Sequence, residues 1–219
     1  MKDVLIWQLV DSGFPSGSFA HSFGLEAAWQ QGEVDAASLI AFVRDAIEQA
    51  GAGMLPFVTH GHTHPDGIAE ADPRCDAFLR NPVANRASRI QGRAWLAAIA
   101  GSFPARPEAR AVCERARRLI ARHHAPVFGA TVAALDVDRA TAQRMFLFGV
   151  CRGVTAAAVR LGIVGTTHAQ RIMSESAADL ERTVSDCSTL TMEEAAQTAP
   201  LLDLWQSSHD RLYSRLFQS

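Results

Sequence analysis

Apolar residues in this chain recur at the spacing of an α-helix and almost nowhere at that of a strand. Leu39, Ile40, Val43 and Ile47 fall at i, i+1, i+4 and i+8, on one helical face. Asp35 is the expected N-cap of that helix and Gly51 its expected stop. Asn81-Pro82 opens a second segment, with Ile90, Ala94, Ala97 and Ala98 along one side. Pro107 suits a first helical turn, ahead of Val112, Ala116, Leu119 and Ile120. Asp138 caps a long helix running through Met145, Leu147, Phe148, Val150, Val154 and Ala158 to Arg160. Thr166 or Thr167 opens the next, with Ile172, Met173 and Leu180 inside it. Strand signals are weak: Val4 to Val10 is the one competing segment, and Asp66-Gly67 lacks β-branched flanks. Alanine pairs such as Ala97-Ala98 and the run Ala156-Ala157-Ala158 favour close helix–helix contact. The expected fold is all-α: a bundle of about nine or ten helices in a single domain over 1–219. Residues 63–73 and 101–107 are expected as loops outside the core, and 200–219 as a C-terminal partner-docking segment.

Charge and cysteine content narrow the function classes. A net charge of −2 supplies no global field that would draw the chain onto nucleic acid or an anionic membrane. Cys75, Cys113, Cys151 and Cys187 are 38, 38 and 36 residues apart, so none forms a CxxC metal or redox pair. Their flanking residues do not match, and no secreted disulfide framework is indicated. The N-terminal stretch is too short and polar for a signal peptide, and no apolar run is long enough to span a membrane. A cytoplasmic location is expected.

Five places bear residues that could do chemistry or bind. The loop from Gly13 to Gly24 has the glycines and hydroxyls of a phosphate cradle, but no Lys or Arg lies between Lys2 and Arg44. A tight turn into a helix explains its glycines and Pro15; Phe14, Phe19 and Phe23 belong to the core or, if exposed, to an aromatic docking patch. Asp11, Ser12 and His21 include triad residue types without a nucleophile elbow, so no catalytic residue is expected. His60, His62 and His64 alternate, and in an extended segment could point one way toward a metal. The plainer expectation is a solvated loop that binds nickel or zinc weakly. The alternative is a small helical metal-binding protein or metalloenzyme using these three residues. His123-His124 is expected at a helix C-terminus, interacting with its dipole.

Arg86, Arg89 and Arg93 sit at i, i+3 and i+7 and share a helical face, able to grip carboxylates or phosphates. Leu201, Leu202, Leu204, Trp205, Leu212, Leu216 and Phe217 recur near helical spacing, with Arg211 and Arg215 four apart. So apolar a terminal segment needs a surface to cover it, on its own body or on another subunit.

The ordered series of motifs resembles one family, the UreF urease accessory proteins. Asp11-Ser12, Pro15, Gly17, Phe19, His21-Ser22 and Gly24-Leu25-Glu26 look like its opening motif. Asn85-Arg86-Ala87-Ser88 with Gln91-Gly92 resembles its central motif, and His124, Pro126 and Phe128-Gly129 the next. Ala156 to Leu161, Gly165 and Gln170 resemble the following helix pair. His209-Asp210, Arg215-Leu216-Phe217 and Ser219 are similar to its closing signature. The chain departs from the family in lacking a Pro-Leu-Gly-Gln-Thr stretch around 162–170, and in having Asp210 for Glu and Gln218 for Arg.

The resemblance implies an all-α homodimer with a non-catalytic role in urease maturation. It implies binding to a UreD/UreH-type scaffold protein and a UreG-type GTPase, and delivery of nickel with carbon dioxide to the lysine-carbamate site of apo-urease. Such a protein holds no cofactor stably; nickel passes through it. It bridges its partners and tunes GTP hydrolysis without binding GTP. The partner-binding residues expected here are Phe14, Pro15, Phe19, His21, Arg86, Arg89, Arg93, His209, Arg211, Tyr213, Arg215, Leu216 and Phe217. The tail from His209 is expected to dock the scaffold, and the arginine face to meet an acidic partner.

Overall fold

The computed structural model describes residues 2–219. Eleven α-helices follow one another: α1 Lys2–Val10, α2 Leu25–Gln30, α3 Leu39–Thr63, α4 Ile68–Phe78, α5 Pro82–Ser102, α6 Pro107–Ala116, α7 His124–Ala134, α8 Arg139–Arg160, α9 Thr166–Glu175, α10 Ala177–Cys187 and α11 Pro200–Ser208. Short 3₁₀ turns lie at Ser18–Ala20, Pro65–Gly67, Met192–Glu194 and His209–Arg211. No strand occurs among the described residues, so the all-α expectation holds, with eleven helices rather than nine or ten. Val4 to Val10 is helical, and the competing strand reading is wrong.

Helix α7 is the axis of the bundle. Every residue from Ala125 to Val132 is buried, as expected for a helix that is apolar all round. Helices α3, α5, α6 and α8 surround it. The α3–α7 crossing is set by two glycines. A Cβ at Gly61 would strike the carbonyl of Pro126, and one at Gly129 the carbonyl of Val58. With hydrogens in their place the two backbones close into van der Waals contact. Polar groups trapped beside α7 are paired: Trp95 Nε1 donates to Thr131 Oγ1 at 2.7 Å, and that hydroxyl donates to the carbonyl of Val127 at 2.7 Å.

Where capping chemistry is local, the expected boundaries are found. Asn81 accepts from the backbone N–H groups of Val83 and Ala84, and Pro82 takes the first helical position. Asp138 accepts from Thr141 N at 3.0 Å and opens α8, which ends at Arg160 as expected. Pro107 opens α6, but Leu119 and Ile120 lie beyond its end.

Four local expectations fail. Asp35 forms a turn with Ala37 and Ser38, and α3 starts at Leu39. Gly51 does not stop α3; it lies mid-helix where Thr183 of α10 packs against it. The helix continues through Pro56, whose missing N–H leaves the carbonyl of Ala52 without its helical donor. Ala196 N, in the connector before α11, takes up that carbonyl at 3.2 Å. Residues 68–78 form α4 rather than a loop, with Ile68, Ala71, Asp72 and Cys75 buried. Leu180 belongs to a separate helix, α10, after a break at Ser176.

Candidate functional site

The N-terminal loop and the C-terminal tail, far apart in sequence, form one surface. Gly24 makes the approach possible: its φ of +88° favours glycine, and an added Cβ would lie 3.0 Å from the backbone N of Gln206 on α11. Asn81 fixes the same helix, donating to the backbone carbonyl and side chain of Asp203 at 2.9 and 3.0 Å. Past α11 the chain turns back over α2.

There Glu26, 1% exposed, is the organising group. Its Oε1 accepts from Leu216 N at 2.6 Å; its Oε2 accepts from Phe217 N at 3.2 Å and pairs with His209 Nε2 at 3.0 Å. Ser22 N donates to the Ser219 carbonyl at 2.6 Å, Gln218 N donates to the Ala20 carbonyl at 2.8 Å, and His21 Nδ1 meets Ser219 Oγ at 2.5 Å. The guanidinium of Arg160 lies between two rings, 4.1 Å from the centroid of Phe19 and 4.3 Å from that of Phe217.

This corrects part of the partner-binding set. Phe14, His21, His209 and Phe217 are buried within the chain, Phe14 edge-on to Trp95 at 5.3 Å between centroids. They build the surface and do not offer themselves to a partner. Pro15, Phe19, Arg211, Tyr213, Arg215 and Leu216 remain exposed. Phe19 is 65% and Leu216 52% exposed, and Tyr213 stands free of the body. The expected docking tail is therefore docked on its own body and presents one side outward. Sequence reasoning missed Glu26 as the acceptor. A lone carboxylate in the apolar run Leu25-Glu26-Ala27-Ala28-Trp29 was the available signal, because a buried charge requires partners.

Beneath the loop lies a cavity of about 190 Å³ lined largely by apolar side chains from α1, α3, α5, α7, α8 and α11, with His21, His124, Arg152 and Asp203 also in its wall. Burial pushes the His21 pKa down to about 4, and nearby His209 and Arg86 push the same way. Burial, and less strongly His21, hold His124 near 4 as well. Both imidazoles are therefore neutral, and the Nε2 atom of each lacks a hydrogen-bond partner among the described residues. His124 opens α7 rather than closing a helix, correcting the dipole reading; its ring packs among Trp95, Phe128 and Phe146. His123 is fixed by Asp76 at 2.9 Å and Ser88 at 3.1 Å.

The other histidine cluster does not converge. His60 and His62 lie in the last turn of α3 rather than in an extended loop, and His64 is its C-cap. His60 and His64 stack with ring centroids 5.0 Å apart, while His62 turns away to the carbonyl of Val137 at 2.8 Å. Helical periodicity splits residues two apart onto different faces. No group of three or more His, Cys, Asp or Glu among the described residues is arranged to hold a metal ion. The three-histidine metal site of the alternative reading is not formed.

Arg86, Arg89 and Arg93 do share a face of α5. Together with Arg80 they line an open depression of about 440 Å³. Arg86 reaches the tail, pairing with Asp210 at 2.7 Å, and Arg215 approaches the same carboxylate at 3.3 Å. The Arg86 hydrogen bond holds the Asp210 pKa below its usual value. No helix among the described residues is long and apolar enough to cross a membrane.

The UreF family matches residues 34–177. The chain is 38% identical to urease accessory protein F of Oryza sativa subsp. japonica over 216 residues, covering 96% of this chain and 83% of that one. It is 37% identical to the Arabidopsis thaliana protein of the same name, covering 97% and 91%. It is 28% identical to urease accessory protein UreF of Trichodesmium erythraeum, covering 99% and 96%. The likeness thus runs through the opening loop, the arginine helix and the closing tail, and the chain belongs to the UreF family.

Proposed function

We propose that this protein is a non-catalytic accessory factor in urease maturation, working in the cytoplasm as a homodimer. It bridges a UreD/UreH-type scaffold protein and a UreG-type GTPase, tunes GTP hydrolysis by the latter, and assists nickel insertion into apo-urease. The observation that carries this reading is likeness along nearly the whole chain to urease accessory proteins. The joined loop and tail support a bridging role. They form one face built from two distant stretches of the sequence, with Phe19, Tyr213 and Leu216 outward and arginines beside them, the mixture found at protein interfaces.

Nickel is cargo in this reading, and the cavity wall suits a passing ion. Neutral imidazoles are nickel ligands, and no third His, Cys, Asp or Glu among the described residues is placed to close a site around them and trap it. Complementation is the test. Urease operons expressed with and without this chain are assayed for nickel-dependent activity in matched extracts. Activity only in its presence supports the reading; equal activity in both extracts, with the structural subunits present, overturns it.

A further inference from the structure

The arginine row on α5 carries more positive charge than the protein itself neutralises. Arg86, Arg89 and Arg93 span about 10 Å along the helix axis, given a rise of 1.5 Å per residue, and Arg80 flanks them at the turn before α5. In a chain of net charge −2 this is a local concentration of cations. Asp76 lies near Arg89 and offsets part of its charge without forming an ion pair with it, its Oδ1 accepting from Asn85 at 2.9 Å and meeting His123 Nε2 at 2.9 Å. Of Arg80, Arg86, Arg89 and Arg93, only Arg86 has a carboxylate ion pair among the described residues, and that carboxylate, Asp210, comes from the tail. Asp210 is itself 41% exposed, at the rim of the depression, and held from two sides by guanidinium groups. The molecule thus displays at one end of the row the chemistry the row recognises.

We propose that this row is a docking groove for an acidic helical segment of a partner protein. Carboxylates at matching i, i+3 and i+7 positions engage Arg86, Arg89 and Arg93, and Asp210 is displaced from Arg86 as they do. A protein carboxylate fits better than a nucleic-acid backbone. The lining contains Pro82 and Asn85 but no aromatic side chain on which a base could stack. Because Asp210 occupies one end, groove and tail are coupled: what fills the first loosens one contact of the second.

The inference goes beyond the maturation reading, and its test contains no urease component. A labelled helical peptide with glutamates at i, i+3 and i+7 is titrated into the full chain, with a glutamine peptide as control. The acidic peptide is expected to bind and the glutamine peptide not. Joint Arg89→Glu and Arg93→Glu substitution weakens binding at least about tenfold, whereas Arg171→Glu on α9 leaves it unchanged. Asp210→Asn removes the internal competitor and tightens binding about two- to fivefold, the range of one exposed ion pair. Equal binding of the two peptides overturns the proposal, as does unchanged affinity in Asp210→Asn. Tighter binding of a single-stranded RNA oligonucleotide at the same ionic strength also overturns it. Circular dichroism checks each variant; if the double charge reversal does not fold, Asp210→Asn decides alone.

Discussion

The crossing of α3 and α7 and the closure of the tail on Glu26 both join distant stretches of chain, by opposite means. At the crossing the bond is shape: glycines at 61 and 129 let two backbones touch, and apolar side chains fill the rest. At the tail the bond is one carboxylate serving two backbone N–H groups and an imidazole. Packing of the first kind has no intermediate state, because interiors are close-packed and do not deform gradually. A hydrogen-bonded closure can open as a unit and leave the packed body behind. The molecule therefore combines a body fixed by shape with a binding face fixed by polar contacts.

The largest effect is expected from Gly129→Val, which drives a branched side chain into the carbonyl of Val58. It should cost more than about 3 kcal/mol and appear in urea unfolding as a collapse of the whole transition. Glu26→Ala leaves buried His209 and the N–H groups of Leu216 and Phe217 without their acceptor, at a cost of about 3 kcal/mol. Here the loss should be local. Hydrogen exchange would show residues 209–219 losing protection while α3 and α7 keep theirs; uniform loss would erase the distinction between the two regions.

Acid should act on both regions, since His21 in the loop and His124 at the start of α7 both have folded pKa values near 4. His21 has a folded pKa near 4 against 6.5 unfolded, so the unfolded chain takes up its proton first as pH falls. Stability is thus full above about pH 6.5 and declines between there and 4, by about 3 kcal/mol for this residue. His21→Gln should flatten that part of the stability–pH curve. The smallest change is expected from Arg160→Met, which removes a cation from between Phe19 and Phe217. It should cost about 1 kcal/mol and raise tail mobility without shifting the main thermal transition.

The same division explains what could be read in the sequence. Asn81-Pro82, Pro107 and Asp138 declare helix starts through contacts within three residues, so α5, α6 and α8 were legible. Only the first half of helix α3 was, because what packs against it past Gly51 is α10, more than a hundred residues away in the chain. In the site, the arginine row was legible as a helical face, but its pairing with Asp210 was not. Nothing local marks Phe217 and His209 as inward-facing, because their acceptor, Glu26, lies 191 and 183 residues earlier. Two histidines lining one cavity come from separate motifs, and only the fold brings them together.

Glu26 also sets an order in time. It leaves the ribosome well before its partners at 216 and 217, which follow 190 and 191 residues later. During synthesis the helical body can condense from contacts near in sequence, while the long-range closure waits. Until then the opening loop lacks the strand of backbone that orders it. A chain interrupted before residue 209 would hold most of its helices and lack the finished face, so partners that read that face would engage only chains carried past it.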